Sequence, residues 1–207
     1  NAGGENNAWT NNDITNYYLT IPAANAETAF WLESDRMLEL AFSPQSLEVQ
    51  RGVVLEEFKQ RCLNQPYGDA GHLLRPLAYK VHPYRWPTIG KEPAHVAEAT
   101  LDEVKRFFFS YYAPNNAVLA VTGNISWEKA KSLAEKWFAP IPQREVPVRQ
   151  LPKEPAQQEE RRLSVERNVP LNALFMAWHM CGREDEDYYA YDILSDILSN
   201  GPSSRLN

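Results

Sequence analysis

Glu57 is the residue whose surroundings most need a chemical explanation. It falls between Val53, Val54 and Phe58 at helical spacing, which puts a carboxylate on what reads as the apolar stripe of a helix. An isolated charge in such a place is costly, so it demands a cation, a metal or a proton. Spacing alone favours an ion pair with Arg61, one turn further on. Glu56 points about 100° away on the same helix and is expected in solvent. The four histidines, His72, His82, His95 and His179, include no i, i+4 pair that would let two imidazoles grip one metal from a helix face. His82 opens His82-Pro83-Tyr84 and reads as a ligand, a hydrogen-bonding structural residue or a surface residue, the structural role being the default. Cys62 and Cys181 form no CxxC, so neither a disulfide framework nor a zinc knuckle is indicated, and Cys62 reads as core. There is no glycine-rich phosphate loop and no G-x-S-x-G elbow. Gly201-Pro202-Ser203-Ser204 follows a helical pattern and reads as a helix stop.

The elements that must position these residues can be traced along the chain. Residues 7–21 read as two strands, the second being rich in aromatic and β-branched residues after the Asn11-Asn12-Asp13 turn. A helix is predicted over 24–42. Ser43 and Pro44 then supply the cap and first position of a second helix running to about Asn64, the one that carries Glu57. A short helix around 69–80, bent near Pro76, precedes an irregular stretch over 82–93. Thr100-Leu101-Asp102-Glu103 is a capping box that opens a helix through Tyr112. The apolar run 117–122 has the pattern of a central strand, and Ser126 caps a helix through Phe138. Five prolines between Pro140 and Pro155, with no hydrophobic period, read as an interdomain linker. Beyond it, 162–168 and 172–180 are predicted strands and 185–200 a helix.

The bulk properties exclude several classes of function. The 207 residues carry a net charge of −6, so no basic footprint invites nucleic acid or an anionic membrane. No apolar run reaches the roughly 20 residues needed to span a bilayer. With 43% hydrophobic residues the chain can build a packed core. The first residues contain no initiator Met and no signal pattern, so the compartment is not readable. A soluble protein, cytoplasmic or bacterial periplasmic, is expected.

Several segments in order resemble the pitrilysin/insulinase family of zinc peptidases. Gly3-Gly4-Glu5-Asn6-Asn7-Ala8-Trp9-Thr10 is similar to its GG-x-x-NA-x-T strand, and Thr15-Asn16-Tyr17-Tyr18 to its T-x-YY signature. Asp35-Arg36-Met37 matches the end of the following helix, and Arg51-Gly52-Val53-Val54-Leu55-Glu56-Glu57 the R-x-V-V-x-x-E element. His82-Pro83-Tyr84, Ile89-Gly90, Tyr112-Ala113-Pro114-Asn115-Asn116 with 119–123, and the G-x-S-S-R-L of residues 201–206 continue the series.

The resemblance implies an α+β fold repeated in tandem, with a mixed or antiparallel sheet covered by helices. Residues 1–139 would then be most of a first repeat, 140–157 a proline-rich linker, and 158–207 the truncated start of a second. It further implies that Glu57 is the third ligand of a catalytic zinc. The other two ligands would be histidines of an H-x-x-E-H helix expected upstream of Asn1, whose glutamate acts on the zinc-bound water. No catalytic residue is therefore expected in this chain, which alone would not retain zinc. Gln50 stands where the family usually carries a second glutamate supporting the site, so the supporting shell keeps a hydrogen-bonding group but loses a charge. Asn7, Ala8 and Trp9 match the edge strand on which the family binds an extended peptide by strand addition; without the resemblance they read as an ordinary strand.

Two main functions follow. The first is a piece of a metalloendopeptidase that hydrolyses peptides or unfolded segments, closed by a second homologous half in the same chain or another subunit. The alternative is a non-catalytic structural or partner subunit of the same family. A separate binding module is disfavoured by the incomplete second repeat.

Overall fold

The computed structural model describes residues 2–206. It opens with an antiparallel hairpin, β1 (Glu5–Thr10) and β2 (Thr15–Thr20), in which Asn7 faces Tyr18 and Ala8 faces Tyr17. The turn is made by Asn11, whose side-chain Oδ1 accepts the N–H groups of Asp13 (2.8 Å) and Ile14 (2.9 Å). This is the local competition with regular structure that favours asparagine in turns.

Among the described residues seven α-helices follow: α1 (Ala26–Leu38), α2 (Pro44–Phe58), α3 (Ala70–Ala78), α4 (Pro93–Ala97), α5 (Leu101–Tyr111), α6 (Trp127–Phe138) and α7 (Tyr188–Ser199). The predicted caps are in place. Ser43 and Ser46 bond reciprocally at the start of α2, Thr100 and Glu103 at the start of α5, and Ser126 accepts the Lys129 N–H at the start of α6. α2 continues into a π-helical turn, Lys59–Leu63, so the helical run ends where the sequence predicts. α1 is shorter than predicted, stopping at Leu38. The short α4 interrupts the end of the stretch read as irregular.

The buried apolar residues come from one group of elements: Phe30 of α1, Phe58 and Cys62 along α2 and its π turn, Phe108 of α5, Leu133 of α6, and Ala113 and Ile141 in the connections. α1 packs against α6, and α2 against α4. Phe108 gathers Phe42 edge-on at 5.3 Å and stacks on Tyr112 at 5.0 Å.

The α+β class holds, but the structure corrects the strand content. Residues 117–122, 162–168 and 172–180 form no strand among the described residues, where β1 and β2 alone are paired. Val118 is 96% exposed and Trp178 72% exposed. A strand exists only as a member of a ladder, so β-rich composition cannot produce one without a neighbour to accept its hydrogen bonds.

Residues 140–157, read as a proline-rich interdomain linker, are tied to the helices by specific hydrogen bonds. The Arg144 guanidinium donates to the carbonyls of Tyr112 (2.5 Å) and Leu38 (2.9 Å), the last residue of α1, and lies over the Phe109 ring at 4.9 Å. It thereby satisfies backbone acceptors that the end of α1 leaves open. Proline-rich composition reports the lack of regular structure, not freedom of movement.

Candidate functional site

β1 presents an open backbone edge. It pairs only with β2 among the described residues, and all six of its residues are exposed. Asn7, Ala8 and Trp9 lie at its centre, opposite Tyr18, Tyr17 and Asn16. The Ala8 N–H donates to Oδ1 of Asn7 at 2.8 Å. A short polar side chain thus holds a donor that an added strand would take, a common way of blunting an edge.

A two-stranded hairpin is marginal in water, so this one depends on tethers. From β2, the Tyr17 hydroxyl lies 2.5 Å from that of Tyr112, and Arg36 of α1 covers the Tyr17 ring at 4.5 Å. Burial and the Tyr17 hydrogen bond push the Tyr112 phenol up. At the other end, the β1–β2 turn is held by the loop after α3. The Tyr84 hydroxyl donates to the Asp13 carboxylate at 2.7 Å, Asn12 donates to the Trp86 carbonyl at 3.4 Å, and Arg75 bridges Asn12 (3.2 Å) and the Tyr84 carbonyl (3.1 Å). The Asp13 hydrogen bond, with burial, pushes Tyr84 up to about 12.

That loop is itself clamped. Glu154 accepts the consecutive N–H groups of Lys80 (2.7 Å), Val81 (2.9 Å) and His82 (2.8 Å). Successive N–H groups converging on one carboxylate form a backbone nest. Desolvation pushes this carboxyl up, but the N–H groups of His82, Lys80 and Val81 together outweigh it and bring it down to about 2. Arg161 donates to the Leu77 carbonyl at 2.7 Å, and Nε2 of His179 lies 2.7 Å from the Ala78 carbonyl, so both close the C-terminal end of α3. His82 is structural, its Nδ1 accepting the Tyr84 N–H at 3.2 Å.

Glu57 makes the ion pair that its spacing favours, but in a more exposed setting than a buried stripe would give. Val53 is 54% exposed whereas Phe58 is buried, so only the Phe58 end of that stripe faces the core. The Glu57 side chain is 42% exposed, and its Oε1 lies 2.9 Å from the Arg61 guanidinium. Gln50, two turns earlier on α2, is exposed. Zinc needs about three protein donors for a catalytic site. Among the described residues no group of three His, Cys, Asp or Glu side chains comes together. No catalytic step is assigned to the described side chains.

Sequence reasoning missed Asp13, Tyr84 and Glu154 as partners. His82-Pro83-Tyr84 stood out as a motif, but nothing signalled its tie to Asp13. Glu154 gave no signal at all, because its partners are main-chain N–H groups that every residue but proline carries.

The fold is shared with known proteins. Residues 98–207 match the peptidase M16 inactive domain, and the chain belongs to this peptidase family. The resemblance to zinc peptidases read from its motifs is thereby borne out. It is 31% identical to the zinc protease PqqE of Helicobacter pylori over 99% of its own length and 46% of that protein's. A crystal structure of a protease from Helicobacter pylori superposes with a TM-score of 0.84 at 29% identity, covering 99% of this chain and 50% of that one. The M16 inactive domain from Pseudomonas fluorescens shares the fold, with a TM-score of 0.74 at 21% identity over 98% of this chain and 49% of that one. The chain spans about half the length of these relatives. No helix among the described residues is long and apolar enough to cross a membrane.

Proposed function

We propose that this chain is part of a zinc-dependent metalloendopeptidase in which its role is to bind an extended peptide, not to perform the chemistry. The observation that carries this reading is the open, fully exposed edge of β1, with Asn7, Ala8 and Trp9 at its centre and tethers at the middle of β2 and at the hairpin turn. A peptide adding to that edge gains main-chain hydrogen bonds with little demand on its sequence. The arrangement suits cleavage of unfolded segments.

Glu57 supplies one metal ligand in this reading, the remaining donors lying outside this chain, and Gln50 supports it by hydrogen bonding. A zinc ion competes with Arg61 for the carboxylate, since both are cations seeking the same oxygens. Residues 1–139 and 158–207 belong to successive repeats joined by 140–157, and a second homologous half completes the chamber. The match to a domain described as inactive, together with the Glu57–Arg61 pair, favours one second reading: a non-catalytic partner subunit.

Zinc content and peptide cleavage of the whole protein decide between the two. We expect about one zinc per protein, chelator-sensitive cleavage of a quenched peptide, and loss of both in Glu57→Gln. A whole protein that binds no zinc and cuts nothing would establish the partner-subunit reading. Undiminished zinc content in Glu57→Gln would remove Glu57 from the ligand set.

A further inference from the structure

The hairpin that offers the peptide-binding edge owes its position to contacts at its turn, and these contacts lead back to the proline-rich segment. Asp13 is held by Tyr84, and Asn12 by Trp86 and Arg75. Tyr84 and Trp86 sit on residues 80–86, whose first three backbone N–H groups are all taken by Glu154. The loop's conformation is thus tied to a group 72–74 residues away in sequence.

We propose that Glu154 is a positioning residue for the peptide-binding edge: by clamping residues 80–82 it fixes the loop that holds the β1–β2 turn. The segment following α6 thereby sets the rigidity and placement of β1. The inference rests on the reading of β1 as a peptide-binding strand. Its mechanical content, that the clamp at Glu154 is felt at β1, does not. Three converging N–H groups need a full negative charge with both oxygens free to accept. Glutamine keeps the size but offers one acceptor oxygen and turns an NH2 toward a donor. The disturbance then passes to Tyr84 and Trp86, and from them to Asp13 and Asn12. Arg161 and His179, which close the end of α3, keep the rest of the segment docked when Glu154 is changed.

Amide hydrogen exchange on the whole protein tests this, with affinity for an unstructured, quenched peptide measured on the same samples. In Glu154→Gln we expect exchange to quicken by roughly tenfold at residues 80–82 and also at 5–14, as loss of charge-assisted hydrogen bonds implies. Exchange in α5 and α6 should stay unchanged. Glu160→Gln, which removes a charge that pairs with neighbouring Arg162, should change neither region. Tyr84→Phe breaks the relay at its far end: 5–14 should quicken while 80–82 stays protected. Quickening confined to 80–82 in Glu154→Gln would overturn the proposal. If that variant loosens the whole fold, Tyr84→Phe decides, and unchanged exchange at 5–14 would overturn it equally. Peptide affinity should fall in both variants with kcat preserved, a KM effect. Altered exchange with no change in peptide binding would leave the clamp standing and instead refute β1 as the peptide-binding strand.

Discussion

The hydroxyl oxygens of Tyr17 and Tyr112 lie 2.5 Å apart, joining the middle of β2 to the end of α5 across 95 residues of sequence. Their rings meet edge-on at 6.2 Å, and Tyr112 stacks on the buried Phe108. The contact transmits the rigidity of the helical core to a hairpin with almost no core of its own. Tyr112→Phe removes the hydroxyl and leaves Tyr17 without its partner, so the whole protein should lose about 1 kcal/mol of stability in denaturant unfolding. The raised Tyr112 pKa sets the sign of the pH effect. The folded state keeps the proton that the unfolded chain releases near 10, so this stabilisation is complete below about pH 10 and is lost as pH rises beyond it. Tyr112→Phe should flatten that alkaline decline.

Glu154 acts at the opposite end of the pH scale. Its folded pKa of about 2 lies below the ordinary 4.5, so the stabilisation is present above about pH 4.5 and is lost as pH falls toward 2. Protection of the Lys80, Val81 and His82 amides should hold at pH 6 and fade across that acid window. In Glu154→Gln it should be weak at every pH. A fade centred near pH 6 would count against Glu154 as the group responsible.

The open edge of β1 makes a prediction about the backbone itself. Ala8→Pro removes the N–H that Asn7 now accepts, without taking a bond from the β2 ladder. Proline is tolerated at a strand edge facing solvent. Circular dichroism and thermal unfolding should therefore change little, while peptide affinity should fall roughly tenfold for the lost main-chain bond. Asn7→Ala frees the same N–H and should strengthen peptide binding.

For Glu57 and Arg61, exposure decides the magnitude. Arg61 is 70% exposed and Glu57 42% exposed, so their pair contributes roughly 0.3–0.5 kcal/mol at most. Arg61→Gln should leave unfolding almost unchanged. It should raise zinc affinity of the whole protein if Glu57 is a ligand, because a competing cation is gone. Metal titration with and without Arg61 reads this directly, and equal affinities would count against the assignment.

Much of this molecule was legible in the sequence because it rests on local rules. Asn11 makes its turn with its own neighbours, and Ser43, Thr100 and Ser126 cap helices with N–H groups a few residues away. The Arg61 partner of Glu57 lies one turn along the same helix. Such contacts are written in spacing. The order of family motifs likewise identified a zinc-peptidase relative, since a motif series survives where individual contacts cannot be seen.

What tertiary structure alone decided concerns partners far apart in the chain. Residues 117–122 and 172–180 carry strand-like composition yet form no ladder here, because pairing needs a neighbour that composition does not specify. A proline-rich stretch turned out to be clamped, because its anchor at Glu154 is the main chain of residues 80–82. Glu57 was recognisable as a carboxylate needing a cation, but which cation holds it depends on what approaches α2 in three dimensions. Side-chain chemistry can be read from sequence; the main-chain groups and distant neighbours that complete it are set only when the chain folds.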